Sequence, residues 1–210
     1  MNSGNTRERD FSEINKNNVN RGNFNNNDNK ININNSGNRT YINNNVNVYH
    51  GYHYSGYHPY YYHPYNPYRW GPYWYPVGFF TATMATTAIM ISMSNQNYYY
   101  NEGVYYVPSG SGYTVVTAPV GADVTFIPSG YSTVFLSNTT YYYYGGTFYI
   151  MSGNSYNVVS APVGAVVNEL PEGANFVEVG GVNLLNYNGV FYQPVSQNGE
   201  DAYEVVQIQN

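Results

Sequence analysis

The 210-residue chain contains no cysteine. Disulfide staples, thiolate nucleophiles and cysteine metal ligands are therefore excluded. Charge is scarce: 9% of residues are Asp, Glu, Lys or Arg, against about 25% in ordinary globular proteins. The scarcity is also uneven. All seven basic residues (Arg7, Arg9, Lys16, Arg21, Lys30, Arg39 and Arg69) precede Trp70. Residues 1–69 carry a balance of +3 and residues 70–210 one of −8. The last two thirds cannot neutralise a phosphate backbone, so nucleic acid is not an expected partner. Histidine stops at His63. From Trp70 onward there are no imidazole relays, Schiff-base lysines or cationic oxyanion clamps. No cofactor is expected, and the chain does not read as an enzyme.

Asparagine and tyrosine take up the space that charge leaves. Asn supplies 19 of the first 50 residues. Residues 1–48 hold few apolar side chains and no helical stripe, the composition of a disordered tail. Within it Ile31-Asn32-Ile33-Asn34 and Val46-Asn47-Val48 alternate with strand period, a pattern that can self-associate.

Residues 49–76 carry 11 Tyr and five Pro. His58-Pro59-Tyr60, His63-Pro64-Tyr65, Asn66-Pro67-Tyr68 and Gly71-Pro72-Tyr73 recur within this stretch. Proline fixes its own φ and extends the residue before it, so an extended strip is expected. His50, His53, His58 and His63 fall in the same stretch. Such tracts can bind Zn, Cu or Ni, although no acid or thiol completes a closed shell here.

Residues 77–93 form the one long apolar run. Pro76 suits a helix start, and a hydrophobic helix is expected over 77–93. Its length sits at the lower edge of a bilayer span, which needs about 17–25 residues. Trp70, Tyr73, Trp74 and Tyr75 on one side and Tyr98, Tyr99 and Tyr100 on the other resemble an interfacial belt. Gly78, Ala82 and Thr86 offer a small-residue face. A transmembrane anchor and a helix packed on the following domain both remain open. If the run spans, the positive-inside rule places residues 70–210 outside the cytoplasm. Residues 1–30 hold no apolar core of a cleavable signal.

Residues 97–210 repeat. Ala118-Pro119-Val120-Gly121-Ala122 returns as Ala161-Pro162-Val163-Gly164-Ala165, 43 residues on. Gly103, Gly146 and Gly189 follow the same interval, as do Tyr106, Tyr149 and Tyr192. Such a register marks structural repeats. The units read as 97–139, 140–182 and 183–210. Tyr141–Tyr144, the Gly145-Gly146 turn and Thr147–Ile150 form a hairpin pattern. The fold class expected is an all-β, antiparallel C-terminal repeat domain, closed as a small barrel or left as a sheet.

The order of motifs resembles a group of Tyr-rich bacterial envelope proteins, known mainly from Bacteroidetes and Proteobacteria. The matching elements are the His-Pro-Tyr tracts, Trp74-Tyr75-Pro76-Val77-Gly78-Phe79-Phe80, Gly103-Val104-Tyr105-Tyr106, Ala161–Ala165, Leu170-Pro171-Glu172-Gly173 and Gly189-Val190-Phe191-Tyr192-Gln193-Pro194. The resemblance implies a location in the cell envelope, membrane-anchored or exported. It implies no activity.

Strand alternation puts half of each tyrosine row on a wet face. Tyr142, Tyr144, Tyr149 and Tyr192 are therefore the candidate contacts for a cell-wall polymer, or for another copy in self-association. A cross-strand ladder that only stabilises the sheet is the alternative. Among the acids, Glu169 and Glu172 flank a predicted turn. Glu178 and Glu204 lie in predicted strands and are the pair to examine for converging carboxylates. The function expected is a non-catalytic envelope protein presenting a Tyr-rich β module for structural or binding work. The alternative is a secreted metal-binding or matrix-type protein using the His/Tyr strip.

Overall fold

The computed structural model describes residues 65–197 and 199–209, with the backbone of four short strands upstream at 33–34, 39–42, 47–49 and 57–59. Most of the tail 1–48 and of the strip 49–76 up to residue 64 lies outside the described residues. The upstream strands are β1 (Ile33–Asn34), β2 (Arg39–Ile42), β3 (Asn47–Tyr49) and β4 (Tyr57–Pro59), followed by β5 (Pro67–Tyr68). No helix occurs among the described residues.

Three sheets follow one another along the chain. The first holds β6 (Phe80–Thr81), β7 (Ile89–Met93), β8 (Gln96–Asn101), β9 (Val104–Ser109) and β10 (Gly112–Val116). The second holds β11 (Asp123–Val124), β12 (Ser132–Leu136), β13 (Thr139–Tyr144), β14 (Thr147–Ser152) and β15 (Ser155–Val159). The third is built on β16 (Val166–Val167), β18 (Asn175–Val179), β19 (Val182–Tyr187), β20 (Val190–Gln197) and β21 (Glu200–Gln209), with β17 (Leu170–Pro171) between its first two strands. Each runs as a four-strand antiparallel meander whose last strand also pairs the short leading one, in the order β6-β10-β9-β8-β7 and its counterparts. None closes into a barrel. Corresponding strands start 43 residues apart, as at Ile89, Ser132 and Asn175. The sheets begin ahead of the expected unit limits at 97, 140 and 183.

Turn chemistry explains this order. Pro76-Val77-Gly78-Phe79, Pro119-Val120-Gly121-Ala122 and Pro162-Val163-Gly164-Ala165 each form a β-turn, with the fourth amide donating to the proline carbonyl at 3.0–3.1 Å. The third residue needs φ near +90°, as at Gly78, Gly121 and Gly164, which only glycine adopts without strain. Each turn then hands its chain to the meander: Gly78, Gly121 and Gly164 donate to Val115, Val158 and Val205 at 2.8–2.9 Å. Two-residue hairpins with positive φ at both positions (Ser94-Asn95, Ser137-Asn138 and Gly180-Gly181) join the next strands, the turn that matches strand twist.

The helix expected over 77–93 is not formed. This stretch holds the turn at Pro76–Phe79, the short β6 and the edge strand β7. Burial in β7 alternates: Ile89, Ile91 and Met93 are half-buried while Met90 and Ser92 are exposed. Period two with β-branched residues overrides total hydropathy. No helix among the described residues is long and apolar enough to cross a membrane.

One main core joins all three sheets with Trp70 and Trp74. Among its largest fully buried side chains are Tyr100, Tyr105, Tyr143, Tyr149 and Tyr192. These cluster toward the Gly-bearing hairpin ends, where the first two sheets are covered on both faces. The Tyr143 hydroxyl donates to the Glu169 carbonyl at 3.0 Å and Tyr100 to Phe126 at 2.8 Å. Each phenol thus ties one sheet to the segment leading into the next.

Candidate functional site

The sheets meet through glycine and tyrosine. A Cβ on Gly103 would lie 2.3 Å from the Tyr144 ring, and one on Gly146 would lie 2.3 Å from Tyr187. Each hairpin tip therefore receives a ring from the following sheet, and only glycine leaves the space. Gly189, at the same place in the third sheet, has nothing within 4 Å. Where the three tips approach one another they border an open cleft of about 50 Å³, lined by Trp74, Tyr105, Gly146 and Tyr187 among others. Ligand pockets for small molecules span about 300–1,000 Å³, so this cleft has room for little more than water.

Of the candidate tyrosines, three are core residues. Tyr149 and Tyr192 are fully buried, and Tyr144 is buried with its hydroxyl donating to the Trp70 carbonyl at 3.2 Å. Alternation assigned them to a wet face, but that face is covered where they stand. Burial pushes the phenols of Tyr144 and Tyr187 up to about 12. It also raises Tyr100, Tyr105, Tyr143, Tyr149 and Tyr192. Desolvation is the leading cause at each, because an ionised phenolate loses its hydration there. These hydroxyls stay neutral, and those of Tyr100, Tyr105, Tyr143 and Tyr144 donate hydrogen bonds.

Tyr142 is the exception and remains half-buried on the outer part of the second sheet. Its ring meets Tyr131 at 5.4 Å and Tyr156 at 5.2 Å, both edge-on. Register places Phe135 and Met151 on the same face, and they are 60% and 55% exposed. Tyr131, Phe135 and Met151 escaped the sequence reading. Tyr131 stands just before its strand, and Phe135 and Met151 were not assigned a face.

The carboxylates do not converge. Glu178 lies on β18 and Glu204 on β21, with β19 and β20 between them. Three strand spacings separate them by about 14 Å, more than either glycosidase geometry allows. Glu204 is fully buried, opposite Gln193 and Val166. Burial raises the Glu169 carboxyl, and Glu172 is exposed. Among the described residues no three His, Cys, Asp or Glu side chains gather into a metal-sized group. His50, His53 and His63 lie outside the described residues, and of His58 only the backbone is described, paired with Ser196.

No curated protein matches this chain, and no solved structure matches it. A family of unknown function, DUF6515, matches residues 25–209. That match spans most of the chain, and the protein belongs to this family.

Proposed function

We propose that the protein is a non-catalytic component of the cell envelope whose β module does structural or binding work through an aromatic outer face. The observation that carries this reading is the row Tyr131, Phe135, Tyr142, Met151 and Tyr156 on the second sheet. Apolar side chains grouped in this way at a surface mark a contact site more often than an accident of packing. Flat aromatic rings suit the faces of sugars and other rings. The cleft is too small for a substrate, and the tyrosines beside it are held neutral as structural donors. An exported location is supported by the resemblance of the motifs.

Two measurements test this. Reporters fused after Arg69 and after Asn210 map which side of the membrane each point occupies, and both the reading and its failure are visible at once. Residues 70–210 outside the cytoplasm are expected; both fusions reporting cytoplasmic would overturn the location. Co-sedimentation of the full chain with insoluble peptidoglycan tests the face. Binding that falls about tenfold in Phe135→Asp is expected, and equal binding by the variant would contradict the assignment.

A further inference from the structure

The three sheets treat one position in three ways. In the third sheet Ala174 leaves room beside Phe176, and Tyr65 arrives from outside the meander to fill it. Its hydroxyl donates to the Pro171 carbonyl, and its ring meets Phe176 edge-on at 6.4 Å. Ala174 and Tyr203 are also at hand. Tyr65 ends the tract His63-Pro64-Tyr65. In the second sheet the place of Ala174 is taken by Tyr131, whose own ring packs on Tyr142. That sheet supplies the tyrosine itself.

The first sheet has Ala88 at this position. Met90, Tyr99 and Tyr113 stand in the places of Phe176, Leu185 and Tyr203. Tyr99 and Tyr113 meet edge-on at 5.2 Å, and Met90 is 58% exposed. Among the described residues no third ring completes this group. The seat corresponds in position to its two counterparts and, among the described residues, lacks its tyrosine.

We propose that the first sheet's seat receives Tyr73 of a second copy of this chain, joining copies head to tail. Tyr73 ends Gly71-Pro72-Tyr73, a tract of the same pattern as the one that presents Tyr65. Gly71-Pro72-Tyr73 forms a turn rather than an extended strip, with Gly71 at φ 74°, and the fixed φ of Pro72 lowers the entropy lost on docking. Within its own copy Tyr73 stands 59% exposed, so it does not fill the seat from within. No charged residue occurs between Trp70 and Asn101, so knob and seat meet without desolvating an ion. Donor and seat are different surfaces, which makes the contact heterologous and open-ended. The proposal rests on the reading of the module as a binding scaffold and names its partner.

The test is sedimentation velocity of the full chain across a concentration series. The parent shifts to larger species as concentration rises. Tyr73→Ala removes the knob, and Ala88→Tyr fills the seat as Tyr131 does in the second sheet. Each is expected to weaken self-association about tenfold or more while keeping the parent's melting temperature within a few degrees. An equal mixture of the two variants restores one contact, between the free knob of Ala88→Tyr and the free seat of Tyr73→Ala. That mixture stops at a heterodimer. A parent that stays monomeric, variants that associate like the parent, or a mixture that forms no heterodimer would each overturn the proposal. A monomer that still sediments with peptidoglycan would leave the scaffold reading standing while removing this partner.

Discussion

Replacing Gly146 with alanine separates backbone strain from inter-sheet packing. Gly146 and Gly189 occupy the same hairpin position with the same φ of 86°. A left-handed conformation costs an L-residue about 1–2 kcal/mol, and that cost is common to both sites. The surroundings differ. At Gly146 the new methyl would meet Tyr187 at 2.3 Å and Pro171 at 3.0 Å, whereas at Gly189 it meets nothing within 4 Å. Overpacking adds about 1–3 kcal/mol. Gly189→Ala should therefore lose about 1–2 kcal/mol and Gly146→Ala about 2–5 kcal/mol. In a chain of this size the extra loss lowers the melting temperature by about 2–4 °C per kcal/mol. Urea denaturation followed by tryptophan emission measures both, since Trp70 and Trp74 are buried in the shared core. Equal losses at the two glycines would refute the packing of Tyr187 against the second sheet's hairpin.

Other variants probe individual links. Tyr143→Phe removes the donor to the Glu169 carbonyl and should cost about 1 kcal/mol in urea denaturation. Tyr149→Ala empties a fully buried site and should cost about 3–5 kcal/mol. Met90→Lys on the exposed face of β7 should change stability by less than about 0.5 kcal/mol, while Ile91→Lys on the half-buried face should cost several times more. A helix over 77–93 would not obey that alternation.

The β character of residues after 97 was legible because aromatic and β-branched runs are punctuated by glycine turns, as at Gly145-Gly146. The first sheet's start was hidden by one residue. Pro76-Val77-Gly78-Phe79 is the same turn as Pro119–Ala122, with Phe in place of Ala, yet Pro76 also suits a helix start. Summed hydropathy over Val77–Met93 then favoured a helix, although Ile89, Ile91 and Met93 already alternate with Met90 and Ser92. The tyrosine faces failed for another reason. Alternation tells which residues share a face, but not whether that face is wet. Tyr149 and Tyr192 are covered by neighbouring sheets and Tyr142 is not, a distinction that only long-range packing makes. The inter-sheet role of Gly103 and Gly146 was likewise invisible, because their partner rings lie 41 residues further on.

Tyrosine is the core residue of this protein, and an alkaline titration of the full chain tests that most directly. Tyrosinate absorbance and tryptophan emission are recorded together as pH rises. Burial raises the folded pKa of Tyr144 and Tyr187 to about 12, above about 10 for the unfolded chain. The folded state then binds more protons than the unfolded one between these values. Its stability is full below pH 10 and falls as pH climbs toward 12. The expected result is a late absorbance step near pH 12 that coincides with a cooperative loss of buried tryptophan emission. Complete ionisation near pH 10 with tryptophan emission unchanged would contradict a tyrosine core.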